Sequence, residues 1–278
     1  RDEGEELSGI WVGKFETTGT ASSPTILPDA TSLTNQNVSA QFNTAKLLGG
    51  TTYGVTSGTD THMMKNSEWG AAAYLSHSKY GVNREVYINN SSLYYTGRSG
   101  GNVGGSTSIN KTYTAQTSTD LYNNYGYYTW NGYLLYYNTN MKSSTRDLTK
   151  VASTTGNITG IYDMSGGAEE HVMGNYNDTI RSSGFSAMPD SKYYDDYTTT
   201  SELTACNGGI CYGHGLSEVS SWYRDYAGFV SAGGPWFIRG GFYSSGSSAG
   251  AFRVDGNAGY AYSGNYYGFR AVLVNVGA

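Results

Sequence analysis

Residues 156–175 read GNITGIYDMSGGAEEHVMGN, and residues 234–274 read GPWFIRGGFYSSGSSAGAFRVDGNAGYAYSGNYYGFRAVLV. The second stretch closes on FRAVLV, a short apolar strand. Far upstream, GIWVGKFET at 9–17 alternates apolar and polar residues as a half-buried strand does, so the two ends are expected to pair. Residues 67–80, SEWGAAAYLSHSKY, form the best helix candidate, with Ser67 as N-cap and Trp69, Ala72, Ala73 and Leu75 or Ser76 near one face. EVSSWYRDYAGFV at 218–230 is a second helix candidate. Between 81 and 150 the chain is rich in Tyr, Asn and Gly, with strand-like pieces such as YGYYTW and GYLLYY set between turn residues. SGGNVGG at 99–105 lacks a strand–helix context and reads as a flexible loop rather than a phosphate cradle. With no fixed-period repeat and no linker, the expectation is one loop-rich α+β domain at 7–278 behind a trimmed tail at 1–6.

Composition excludes several function classes. Charged residues make up 14% of the 278, against roughly 25% in an average soluble protein. The polar content is instead Ser, Thr, Asn, Gly and Tyr, with 39 Gly and 27 Tyr, which suits a folded chain with a Tyr-rich exterior. A net charge of −5 with 17 thinly spread basic residues lacks the basic footprint that nucleic acid requires. No apolar run approaches the roughly 18 residues of a membrane span. The acidic opening RDEGEEL reads as a trimmed end, which places any export signal or anchor outside this sequence. Cys206 and Cys211 lie in ACNGGIC, where a small disulfide closing a Gly-Gly loop suits an exported protein. Their spacing is not that of a Cys-x-x-Cys redox pair, and two thiols alone do not close a metal site.

The run Glu169-Glu170-His171 suggests acid–base or metal chemistry. Adjacent residues on a strand face opposite ways, so at most two of the three can converge on one ion. The plainer reading is the edge of a structural motif whose carboxylate caps a loop.

Taken together, these stretches resemble a known family. Residues 156–175 are similar to the N-x-x-G-[LI]-Y-D-M-x-G-N-V-W-E-W signature of the formylglycine-generating-enzyme-like branch of the C-type lectin fold. Residues 234–274 resemble that branch's closing R-G-G-[SF]-[WY] … R … G-F-R pattern. IWVGKFETT is similar to its first strand and NSEWGAAAY to its T-E-A-E-W-E-x-A-A helix. Four landmarks in the right order span almost the whole chain, and the resemblance implies the C-type lectin fold in its formylglycine-generating-enzyme-like subtype. Fold does not settle function. The oxidases of this branch bind copper through two cysteines near the closing motifs, and Gly240 to Arg270 holds no cysteine. The ergothioneine-synthase relatives need a His cluster from an added helical domain, and this chain has 4 His in all. Gly167, Ala168, Glu169 and His171 also replace the signature's Asn, Val, Trp and Trp, while Glu170 matches. The resemblance therefore implies a non-enzyme with no metal site and no cofactor, apart from a structural calcium of the kind such loops hold in relatives. Glu-Pro-Asn and Gln-Pro-Asp triplets are absent, which disfavours sugar binding through calcium.

The same branch includes variable proteins diversified by retroelements, in which adenines of one C-terminal coding block are randomised. Randomising the first two positions of an Asn codon never yields Lys, Glu, Gln, Met or Trp. These five types number 8, 10, 3, 6 and 5 here, 32 of 278 residues, and none falls in 237–268. That window is instead rich in Tyr, Ser, Gly and Asn, the composition of antibody loops. By role, Trp236, Arg239, Gly240, Gly241, Phe252, Gly268, Phe269 and Arg270 are expected as framework. Ile238, Phe242, Ser244, Arg253, Asp255, Tyr260, Tyr262, Ser263, Asn265, Tyr266 and Tyr267 are expected as exposed ligand contacts. The texture of GNITGIYDMSGG, CNGGICYGHG and GGPWFIRGGFYSSGS also resembles pilin-like surface proteins of gut Firmicutes, which carry an N-terminal anchoring helix. The resemblance thus implies an extracellular or cell-surface, pilus-associated adhesin or receptor. Its partner is expected to be a protein or glycan on a host, bacterial or phage surface, read by a variable region at about 236–270. A structural pilus subunit and a formylglycine-generating-type oxidase are the alternative readings.

Overall fold

A computed structural model of the chain describes residues 9–55, 59–83, 85–98, 152–156, 159–197, 223, 225–256 and 263–275, together with the backbone of 127–130 and 133–136. The first half holds β1 (Trp11–Val12), β2 (Thr18–Thr20), β3 (Ser23–Thr25), α1 (Val38–Leu47), β4 (Thr59–Met63) and α2 (Asn66–Ser76). Then come β5 (Tyr127–Trp130), β6 (Tyr133–Tyr136), β7 (Glu169–Tyr176), β8 (Asp195–Tyr197) and β9 (Ala227–Gly228). The chain finishes with β10 (Trp236–Gly240), β11 (Gly250–Asp255), β12 (Tyr267–Phe269) and β13 (Ala271–Asn275). Among the described residues, then, the protein is α+β with few helices and mostly strands, in line with the coarse expectation.

The expected pairing of the two ends is present. β13 lies between β1 and β4, antiparallel to both, with Trp11 opposite Leu273 and Met63 opposite Ala271. Only Trp11 and Val12 of the 9–17 stretch join the ladder, but the chain stays attached beyond it. Gly13 N donates to Ala271 O at 2.8 Å and Thr17 N to Phe269 O at 2.9 Å. A second, curled sheet runs β12–β7–β10–β11–β9, and β8 shares the free edge of β7 with β12. β2–β3 and β5–β6 are small hairpins.

The core explains why β7 and β10 carry almost no polar surface. One apolar cluster gathers Trp69, Phe237, Phe252, Met64, Val172 and Val272. Another gathers Trp236, Phe269, Phe42, Met63, Met173 and Ala271. Successive residues Trp236 and Phe237, Val172 and Met173, and Ala271 and Val272 go to opposite clusters, as the two-residue period of a strand demands. Both strand faces are therefore dry, a pattern usual for central strands covered on each side.

α2 falls where the sequence predicts, burying Trp69, Ala72, Ala73 and Ser76 while Leu75 is exposed. Its N-terminus differs from expectation: Lys65 is the N-cap, and Ser67 lies inside the first turn. The orphan amides find carboxylates instead. Lys65 N donates to Glu68 Oε2 at 2.8 Å, and Ser67 N donates to Asp195 Oδ2 at 2.6 Å, where the helix dipole also favours negative charge. α1 went unpredicted; Asn37 caps it by accepting from Ala40 N at 2.9 Å. Residues 218–222 and 224 of the second helix candidate lie outside the described residues, and of its remainder Ala227–Gly228 form the strand β9. β9 pairs in parallel with β11, Gly256 N donates to Gly228 O at 2.7 Å, and Asp225 Oδ2 accepts from Phe252 N at 2.9 Å. Among the described residues no helix is long and apolar enough to cross a membrane.

Candidate ligand-binding surface

The site begins where β10 ends. Gly240 and Gly241 take φ of +80° and +76° in succession, a left-handed pair that side-chain-bearing residues rarely adopt. A Cβ on Gly241 would lie 2.8 Å from Arg253 Cδ. The turn throws residues 242–248 outward, and local bonds shape them: Phe242 N donates to Ser245 Oγ at 3.1 Å and Ser245 N to Phe242 O at 2.8 Å. Tyr243 N donates to Gly167 O at 2.9 Å, tying this loop to the Gly-Gly turn of the first motif. A second loop, 263–267, is held by Asn35 N donating to Gly264 O and Glu169 N donating to Tyr266 O, at 2.9 and 2.8 Å.

Two buried arginines anchor the floor. Arg270 Nη1 donates to Gly13 O at 2.7 Å, and Nη2 to Tyr162 O at 2.8 Å and to Glu170 Oε1 at 2.5 Å. Arg239 Nε donates to Asn66 Oδ1 at 2.8 Å and Nη1 to Arg253 O at 3.0 Å. Burial pulls Arg239 down to about 10. All eight residues expected as framework, from Trp236 to Arg270, are buried.

The expected contacts divide. Ser244, Ser263 and Asn265 are exposed, and Phe242 and Tyr266 are half-buried. Tyr260 and Tyr262, like Cys206 and Cys211, lie outside the described residues. Exposure fails at four positions. Ile238 is fully buried because β10 runs between β7 and β11, with His171 and Asp255 as its ladder partners. Tyr267 packs its ring 4.7 Å from His171. Arg253 and Asp255 sit on one face of β11 in a buried ion network: Arg253 Nη2 donates to Glu169 Oε1 at 2.9 Å and to Asp255 Oδ2 at 3.0 Å. Arg253 Nη1 donates to Ser248 O at 3.0 Å, so this arginine braces the 242–248 loop from below.

The Glu169-Glu170-His171 run separates as alternation predicts, though on a central strand rather than at an edge. Glu169 meets Arg253, Glu170 meets Arg270, and His171 meets Gln41. Burial pushes Glu169 up against the opposing pull of Arg253, and pushes His171 down to about 3. The neutral His171 therefore donates from Nδ1 to Gln41 Oε1 at 2.9 Å. Among the described residues, no group of three or more His, Cys, Asp or Glu is arranged to hold a metal ion.

Above the floor, four half-buried aromatics form one cluster. Phe242 packs against Tyr243 and Tyr266 at 5.8 and 6.0 Å, and Tyr94 meets Tyr243 edge-on at 5.5 Å. Tyr94 and Tyr243 are the participants that sequence reasoning missed, and Leu93, next to Tyr94 in the chain, is 60% exposed. The available signal was SSLYYTG at 91–97, which shares the Tyr/Ser/Gly texture of 236–270. Tyr94 stands at φ +55°, a conformation costing a bulky residue about 1–3 kcal/mol and kept only where the surroundings impose it. They do so here. Ser32 N donates to Tyr94 O at 2.9 Å, Tyr94 N to Ser91 O at 2.9 Å, and Asn89 Nδ2 to Tyr95 O at 2.8 Å.

No protein-family model matches this chain, and no curated protein shows significant similarity to it.

Proposed function

We propose that this chain is a non-catalytic recognition module of the C-type lectin fold, formylglycine-generating-enzyme-like branch, displayed at a cell surface or on a pilus. Its ligand-reading segment is 236–270, diversified by a retroelement. The observation that carries this reading is the division of labour in that segment. Framework residues and ion pairs are sunk in the floor, while the loops at 242–248 and 263–267 raise aromatic and hydroxyl groups above it. Such a division lets surface residues change without unmaking the fold, and Tyr with Ser, Gly and Asn gives large contacts with adaptable hydrogen bonding. The non-catalytic part rests on the missing cysteines between Gly240 and Arg270.

The test lies in the flanking DNA. A near-copy of the codons for 236–270 is expected beside a reverse transcriptase gene. Its adenine mismatches should fall on the codons of Phe242, Ser244, Ser263, Asn265 and Tyr266. They should spare the buried Arg239, Arg253 and Arg270. Flanking DNA without such a repeat, or mismatches concentrated on the buried positions, would sink the diversification reading.

A further inference from the structure

The aromatic cluster raised by 236–270 is completed by residues from far earlier in the chain, and this fixes more than the cluster's shape. The geometry points to a two-part site, in which residues 91–95 supply a constant contact through Leu93 and Tyr94, and the ligand is a neutral glycan bound without a metal ion. This rests on the reading of 236–270 as a recognition segment.

The constant half is a built structure. Ser91 N donates to Asn89 Oδ1 at 3.0 Å and Tyr95 N to Ser91 Oγ at 3.1 Å, while Asn89 is itself buried and held to Asp163 Oδ1 at 2.9 Å. This framework holds Tyr94 in its left-handed conformation and leaves the apolar Leu93 in solvent. An exposed Leu beside clustered tyrosines, on a backbone that costs energy to hold, marks a contact surface.

The ligand class follows from what the surface offers. Among the described residues, the hydroxyls of Tyr94, Tyr243 and Tyr266 have no hydrogen-bond partner. They lie near one another: burial first, then the neighbouring phenols of Tyr243 and Tyr266, hold the Tyr94 hydroxyl above its ordinary value. Phenol hydroxyls both donate and accept, and the ring faces between them take C–H groups. The segments 91–95, 242–248 and 263–267 contain no Asp, Glu, Lys or Arg. Of the charges beneath, Arg253, Glu169 and Asp255 are buried and paired with one another, and Glu16, which also acts on the Tyr94 hydroxyl, is fully buried and raised well above the ordinary carboxylate range by that burial. A surface of rings and free hydroxyls without charge matches a neutral sugar, whose apolar ring faces alternate with hydroxyls. Among the described residues these three loops themselves offer no cation to an acidic glycan and no carboxylate with which to chelate sugar through calcium, and Arg98, 4.3 Å from the Tyr95 ring, is held by Asp29. The three loops themselves carry no charge with which a charged protein surface could pair.

The intact chain should be applied to a printed array of neutral, sialylated and sulfated oligosaccharides, once with calcium and once with EDTA. Binding is expected on neutral glycans alone, equally in both buffers. Tyr94→Phe, Tyr243→Phe and Tyr266→Phe should each weaken it about two- to tenfold, the worth of one hydrogen bond. Leu93→Ser should weaken it as well, with the unfolding temperature unchanged in all four. Binding that needs calcium, binding only to acidic glycans, or a blank array overturns the glycan assignment. If Tyr266→Phe weakens binding while Tyr94→Phe and Leu93→Ser do not, the constant half is overturned and the recognition segment stands. If a protein ligand is captured whose binding falls on Tyr266→Phe but survives deglycosylation, the glycan class fails and the recognition reading survives. Glycan binding indifferent to every substitution in 236–270 overturns the recognition reading itself.

Discussion

Among the described residues, Arg270 is the single guanidinium in a buried nest of three carboxylates, Glu16, Asp163 and Glu170. Burial pushes all three up, Asp163 to about 6 and Glu170 to about 7, with Arg270 pulling the other way; Glu16 is raised well above the ordinary range, first by burial and then by Asp163 and Glu170. Asp225, elsewhere in the floor, is pushed to about 8 by burial. Raised folded values mean that the native state holds protons which the unfolded chain releases between about pH 4.5 and pH 8. Stability therefore rises as pH falls through that window. His171 works in the opposite sense, because it stays neutral when folded to about 3, and it takes stability away below its ordinary value of about 6.5. The carboxylates outnumber it. The unfolding temperature is thus expected to climb from pH 8 to pH 5, at about 2–4 °C per net proton per pH unit for a chain of this size. Glu170→Gln keeps an oxygen for Arg270 and removes a titrating group, so its pH profile should be flatter. A wild-type protein that loses stability steadily from pH 8 to pH 5 would contradict the nest as described.

At the level of elements, legibility followed locality. FRAVLV, a continuous apolar run, and GIWVGKFET, with its apolar–polar alternation, announced two strands at the chain ends because those patterns are written into the strands themselves; the antiparallel direction of their pairing came from the fold. α2 was legible from Trp69, Ala72 and Ala73, but its cap was not. The carboxylate at its first turn comes from Asp195, 128 residues away in sequence. Truncating Asp195→Ala should destabilise the protein by about 1 kcal/mol, typical of a lost helix cap. Asp195→Asn, which keeps an acceptor, should recover most of that in denaturant titrations; no loss in Asp195→Ala would show the cap to be idle, and equal losses in both variants would place its worth in the charge rather than in the acceptor. The same locality explains the four misplaced contacts. Taking Ile238 and Tyr267 as exposed assumes that a strand has one wet face, whereas β10 lies between two apolar clusters and Tyr267, on β12, packs on His171 of β7. Arg253 and Asp255 look like surface residues by type, and only the fold brings Glu169 to meet them. Leu93 and Tyr94 were missed for the converse reason: nothing local links 91–97 to 242–248 until the chain has folded.

For the molecule as a whole, sorting charge into the floor has a consequence for binding. The chain carries a net charge of −5, so its long-range field resists acidic partners and is indifferent to neutral ones. At the surface itself the segments 91–95, 242–248 and 263–267 are uncharged, and the buried pairs below are little affected by dissolved ions, which screen exposed charges most. Raising salt from about 0.05 M to about 0.5 M shortens the screening length severalfold, and it would weaken a charge-steered complex strongly. Here the dissociation constant for a bound neutral oligosaccharide is expected to stay within about twofold across that range, because ring contacts and neutral hydrogen bonds, rather than ion pairs, carry the affinity. Calorimetric titration at the two salt concentrations measures this directly. A tenfold weakening at high salt would mean that ion pairs carry the affinity, and residues beyond the neutral loops would then have to be reading the ligand.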